Sequence, residues 1–113
     1  AVIVSTPQDL ALLDVKRGIE MFNKTGVKIL GLISNMSYFK GDDGKKYNIF
    51  GDEGVKKTAD EFKVKFLGEL ALNQDLRIAS DTGKPLTFSQ PKHEVSKQFE
   101  SLAQLIKLSL INK

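Results

Sequence analysis

The sequence predicts an α/β fold: a partial, doubly wound, mainly parallel sheet flanked by helices. Three short apolar runs carry that prediction, with VIV, ILGLI and FLGEL at their centres. Each is nearly continuous rather than alternating, as in strands buried on both faces. Helical patterns separate them, and strand–helix alternation at this spacing implies right-handed βαβ crossovers. The 113 residues suffice for one domain, since a chain of this length buries roughly 65% of its unfolded surface.

The first strand is expected over residues 1–5. A helix follows, with Thr6 as cap, Pro7 in its first turn and Asp9 as a capping-box acid. Its apolar stripe is read as Leu10, Leu13, Ile19, Met21 and Phe22, interrupted by Arg17, and Gly26 is its stop. The second strand spans 28–34. D-G and G-D pairs at 41–44 predict a hairpin tip, its arms at Tyr38-Phe39 and Tyr47-Asn48-Ile49. A helix over 52–62 turns Val55, Ala59 and Phe62 inward. The third strand spans 64–70, a short helix lies near 75–80, and a loop follows through Gly83, Pro85 and Pro91. A last helix, about 94–111, places Phe99, Leu102, Ile106 and Leu110 on one face. Sheets of this class usually have five or more strands. Three strands and a start inside a strand read as part of a larger domain.

Composition narrows the function. A content of 41% apolar and 27% charged residues is that of a globular protein, not a disordered one. The net charge of +3 is mild, and its lysines, densest at Lys45, Lys46, Lys56 and Lys57, read as a solvated face. No nucleic-acid or membrane partner is expected. The chain has no cysteine, so thiolate metal sites and cysteine nucleophiles are excluded from it. That composition fits an intracellular, cytoplasmic protein. No apolar run is long enough to span a bilayer.

No phosphate cradle of the G-x-x-x-x-G-K-[ST] type is present: Gly83-Lys84 is followed by Pro85 and lacks the upstream glycine. No strand ends in a Walker B-like acid. His93, the single histidine, reads as a surface residue at a helix entrance, Asp42-Asp43 as a turn, and Met21 and Met36 as packing. No catalytic residue and no metal ligand is expected. More promising is Asn35, directly after the second strand, because ligands of open parallel sheets bind beyond the strands' carboxyl ends. Its amide complements an adenine edge, although a loop-capping role explains it equally well. Leu72, Asp75 and Arg77 follow the third strand on the same side, giving a rim for a nucleotide base.

The ordered segments VIVSTPQDLALLDVKRGIEMF (2–22), VKILGLISNMSYF (27–39), IFG (49–51), FLGEL (66–70), LRIASDTGKPL (76–86) and FSQP (88–91) resemble the Mrp/ApbC branch of ParA/MinD-type P-loop ATPases, iron–sulfur cluster carriers. The resemblance covers essentially the whole chain. It implies the C-terminal half of a P-loop NTPase domain, with Walker A and B segments upstream of residue 1. It further implies ATP with Mg, homodimers, a bridging [4Fe–4S] cluster and iron–sulfur apo-proteins as recipients. Asn35 matches the strand-end Asn that contacts adenine, and Arg77 and Asp81 match polar positions of a loop near the base.

Departures from the pattern bear on function. Ser34 stands where a Glu is frequent, and Ala71 stands where a Pro is. The loop 40–47 holds no Cys-x-x-Cys, and carboxylates at Asp42 and Asp43 are poor ligands for soft iron, so a [4Fe–4S] cluster at the family's usual place is not provided for. The leading expectation is a fragment supplying the adenine side of a nucleotide site and dimer surface, inactive alone. The alternatives are a non-enzymatic module from a split gene and a partitioning or septum-site ATPase relative.

Overall fold

A computed structural model describes residues 1–111. Three parallel strands, β1 (Val2–Ser5), β2 (Gly31–Ser34) and β5 (Phe66–Glu69), form a sheet in the order β1-β2-β5. A second, two-stranded antiparallel ribbon pairs β3 (Phe39–Lys40) with β4 (Lys46–Tyr47). The helices are α1 (Asp9–Thr25), α2 (Gly54–Phe62), α3 (Gln74–Asp81), α4 (Leu86–Ser89) and α5 (Glu94–Ile111). The expected fold class, a parallel sheet flanked by helices, is the one observed.

Strand β2 is buried at all four positions, and its adjacent residues serve two cores. Leu32 packs with Val15 and Ile19 of α1 and with Val55 and Ala59 of α2. Ile33 packs with Leu67, Leu70 and Leu102, so α5 covers the opposite face. A third cluster joins Tyr38, Ala71, Ala79, Leu86 and Val95, fixing α3 and α4 against the start of α5.

Several local expectations are corrected. Helix α1 starts at Asp9 with Gln8 as its cap, leaving Pro7 outside it. The Pro7 carbonyl lies so close to Gly51 and Gly54 that a Cβ at either would meet it at 2.7 or 2.9 Å. Close packing of residue 7 against the α2 entrance thus overrides its capping chemistry. The buried stripe of α1 is Leu12, Val15, Ile19 and Phe22, while Leu10, Leu13 and Met21 are exposed. Both stripes have helical spacing, and only the approach of β2 and α2 selects between them. Gly26 ends α1 as expected, at φ 73° with its N–H donating to Phe22 O. On α5, Leu110 is exposed, and Leu105 joins the core alongside Phe99, Leu102 and Ile106. The polar stretch before α5 contains α4, which buries Leu86.

The register between β2 and β5 slips between Leu32 and Ile33: Leu32 pairs with Phe66, and Ile33 with Gly68. Leu67 is the unpaired residue, a bulge in a parallel pair. Its side chain fills the space over Gly31, where a Cβ would come within 2.5 Å of Leu67 Cγ. Gly18, by contrast, has open space around its missing Cβ in mid-helix α1. Gly31→Ala should therefore lower stability by about 1–3 kcal/mol through overpacking. Gly18→Ala should raise it by about 0.5–1 kcal/mol through helix propensity. Urea-unfolding midpoints moving in opposite directions would bear this out, and a shared direction would refute it.

Candidate functional site

The carboxyl ends of β2 and β5 are joined by a backbone ladder that outlasts the sheet. Leu70 N–H donates to Ser34 O at 2.8 Å, Ser37 N–H to Leu70 O at 2.9 Å, and Leu72 N–H to Tyr38 O at 2.8 Å. On the other side of β2, Asn35 N–H donates to Ser5 O at 2.7 Å. Met36 turns the chain within this ladder at φ 50°, a left-handed conformation that a non-glycine residue holds only when its surroundings enforce it. The segment 34–38 and the segment 69–72 consequently form one rigid edge above the sheet.

Side chains lock this edge to α5. Gln98 Nε2 donates to Tyr38 Oη at 2.6 Å, and Gln98 Oε1 accepts the Ala71 N–H at 3.1 Å. Tyr38 is 5% exposed, so its hydroxyl needs a partner and Gln98 supplies it. The expected role of Tyr38 as a hairpin arm is thus corrected: its ring belongs to the core, and the arms are β3 and β4. His93, expected at the surface, is half-buried. Its Nδ1 accepts the Val95 N–H at 3.1 Å, capping α5, while Nε2 lies 3.0 Å from Asp75 Oδ2.

The residues expected to rim a base divide into two pairs. Asn35 and Leu72 sit on the ladder itself, at the carboxyl ends of adjacent strands, and both are half-buried. The Asn35 carboxamide has no hydrogen-bond partner among the described residues. Asp75 and Arg77 lie on α3, with Asp75 facing His93 and Arg77 paired to Asp81 at 3.1 Å. Sequence reasoning missed Gln98 and Glu69. A glutamine in the second turn of an amphipathic helix gives no signal of its own; only the buried Tyr38 hydroxyl reveals its partner.

The ribbon β3–β4 is held down onto this edge. Lys46 Nζ lies 3.5 Å from Glu69 Oε1 and 4.3 Å from the centre of the Tyr38 ring. Ser37 Oγ donates to Glu69 Oε2 at 2.9 Å. At the tip, Tyr47 Oη donates to Asp43 Oδ2 at 2.6 Å and Lys45 N–H donates to Asp43 Oδ1 at 2.9 Å. The donor set is oxygen and ammonium, and one of the two tip carboxylates is already engaged. A loop of this chemistry does not fit a cluster held by thiolates.

A family model described as the ParA-type NUBPL iron-transfer P-loop NTPase matches residues 1–107. The chain belongs to the NUBPL family. Its relatives include the iron–sulfur cluster transfer protein NUBPL of Dictyostelium discoideum, 46% identical over 99% of this chain and 36% of that protein. The iron–sulfur cluster carrier protein of Aquifex aeolicus is 41% identical over 94% of the chain and 29% of its own length. This NUBPL-family chain therefore spans about a third of the curated relatives it matches. A nucleotide-binding protein from Archaeoglobus fulgidus, solved in complex with ADP, is 36% identical with a TM-score of 0.64, covering 74% of this chain and 35% of that one. The cell division ATPase MinD of Pyrococcus furiosus has a TM-score of 0.72 over 95% of this chain and 41% of its own, at 23% identity, which speaks to fold alone. The resemblance to iron–sulfur carriers of the ParA type is thus borne out. No described helix is long and apolar enough to cross a membrane.

The tip gives a pH signature to this NUBPL-family hairpin. The Tyr47 hydroxyl and then the Lys45 amide hold the Asp43 carboxyl below its ordinary 3.8, and Asp43 in turn raises the Tyr47 phenol above its ordinary 10.0. Asp43 contributes to hairpin order above pH 3.8, a contribution lost as pH falls through its lowered midpoint. Tyr47 contributes below pH 10.0, a contribution lost as pH rises through its raised one. In a carbon-detected NMR titration, Tyr47→Phe should move the Asp43 midpoint upward towards 3.8. An unchanged midpoint would refute the coupling.

Proposed function

We propose that these 113 residues are the C-terminal portion of an ATP-binding iron–sulfur cluster transfer protein, supplying the base side of its nucleotide site. The observation that carries the reading is the family match across residues 1–107. Asn35 supports it: an unspent carboxamide stands at the carboxyl end of β2, where open parallel sheets bind ligands. In this reading its Oδ1 and Nδ2 meet the donor and acceptor of the adenine edge. Leu72 offers an apolar wall on the neighbouring strand end, and Asp75 and Arg77 flank the site from α3. The Mg-bound phosphates belong to Walker segments outside this chain, because no phosphate cradle occurs within it.

The cluster is cargo, and it is not gripped by cysteine in residues 1–113, which have none. Its ligands therefore come from elsewhere in the assembly, and this portion contributes nucleotide contacts and surface to a homodimer that hands clusters to iron–sulfur apo-proteins. Alone, the chain hydrolyses no ATP.

Calorimetric titration of ATP into the isolated chain should give no binding tighter than millimolar, and micromolar affinity would sink the assignment. In a protein that joins this chain to a P-loop half, Asn35→Ala should weaken ATP binding by about 5- to 30-fold, the worth of one to two lost hydrogen bonds. The loss should be smaller for a nucleotide whose base lacks the adenine amino group. Equal losses for both nucleotides would remove Asn35 from the base site.

A further inference from the structure

A recess of about 200 Å3 opens where β2 and β5 end, lined by Ser34, Ser37, Glu53, Lys56, Phe66 and Glu69. Ser34 is 3% exposed, and its hydroxyl has no hydrogen-bond partner among the described residues. No fully enclosed side-chain oxygen or nitrogen goes unpaired there, so the Ser34 hydroxyl owes its remaining access to the recess it lines. It shares the sheet face of Leu32, which packs on Val55 and Ala59 of α2, and so it is aimed at the start of that helix.

Helix α2 begins at this recess without a side-chain cap. Its first bond runs from Lys57 N–H to Glu53 O at 2.9 Å, leaving the Gly54, Val55 and Lys56 amides without helical partners. Those amides carry the partial positive charge of a helix start, and the Lys56 ammonium adds a full one. Two carboxylates stand on the same recess. Glu69 already has Lys46 at 3.5 Å and accepts from Ser37 at 2.9 Å, with lone pairs to spare. Glu53 caps nothing. Glu53, on the rim of the recess, holds a left-handed backbone at φ 57°.

A simple anion would face Glu53 and Glu69, and a simple cation would face Lys56 and the positive end of α2. We propose that the recess binds a small zwitterion of amino-acid size. Its carboxylate meets the first amides of α2, Lys56 and the Ser34 hydroxyl, and its ammonium group meets Glu69 and Glu53. The volume admits only a few heavy atoms beside the Phe66 ring. The proposal does not rest on nucleotide or cluster binding, so it stands or falls separately from the assigned function.

The test is a titration of the 15N-labelled chain with glycine, with acetate and methylammonium as single-charge controls, followed by amide chemical shifts. Glycine should move the Ser34, Gly54, Val55 and Lys56 resonances along a saturable curve, with each control at least about ten-fold weaker. Ser34→Ala and Lys56→Ala should each weaken glycine binding by about three- to ten-fold, as loss of one hydrogen bond or charge contact does. Lys56 is exposed, so its variant keeps the fold. Saturation by acetate alone at the same concentrations would overturn the zwitterion assignment. Absence of a saturable response up to about 0.1 M glycine, beyond the weak end of small-ligand affinity, would overturn the site.

Discussion

Strand β2 has to be paired on both edges and covered on both faces, and the placement of most other elements follows from that requirement. Its four residues are buried, so every backbone polar group on them needs a partner from β1 or β5. Leu32 and Ile33 point to opposite faces and summon separate helical layers, α1 with α2 on one side and α5 on the other. The glycine that opens β2 is part of the same constraint. Leu67 occupies the volume a side chain at residue 31 would need, and the bulge in β5 delivers it there.

The candidate site grows out of that pairing. The ladder from Ser34 to Leu72 prolongs the contact between β2 and β5 beyond the sheet, through residues with no regular strand geometry. Gln98 then fastens both segments to α5 with its two amide ends. An edge so closely bonded holds Asn35 in place while leaving its carboxamide unspent. Preorganisation of this sort reduces the ordering cost of binding a ligand. Cluster chemistry has no comparable provision here, since neither the composition nor the tip of the β3–β4 ribbon offers a thiolate.

Much of this fold could be read from the sequence, because buried parallel strands leave continuous apolar runs and Gly26 marks a helix end through its left-handed backbone. Elements failed where two local solutions were equally good. Helix α1 carries two apolar stripes, and periodicity cannot say which one meets the sheet. Thr6 and Pro7 look like a helix start, yet the Pro7 carbonyl lies closely against Gly51 and Gly54 and the helix begins at Asp9. The position of Asn35 directly after a strand was legible because a strand end followed by an amide is a local pattern. The pairing of Tyr38 with Gln98 spans sixty residues, and the recess at Ser34 depends on where α2 begins. Neither leaves a mark in nearby sequence.

The ribbon also has a mechanical meaning. Lys46 is clasped by Glu69 below and by the Tyr38 ring beside it. Tyr38 is bonded to Gln98, and Gln98 to the backbone of Ala71. The exposed loop therefore acts as a handle on a short lever. Four side chains thus tie the ribbon to the ends of β2 and β5 and to the first turns of α5, so the exposed tip is anchored to the same edge that carries Asn35.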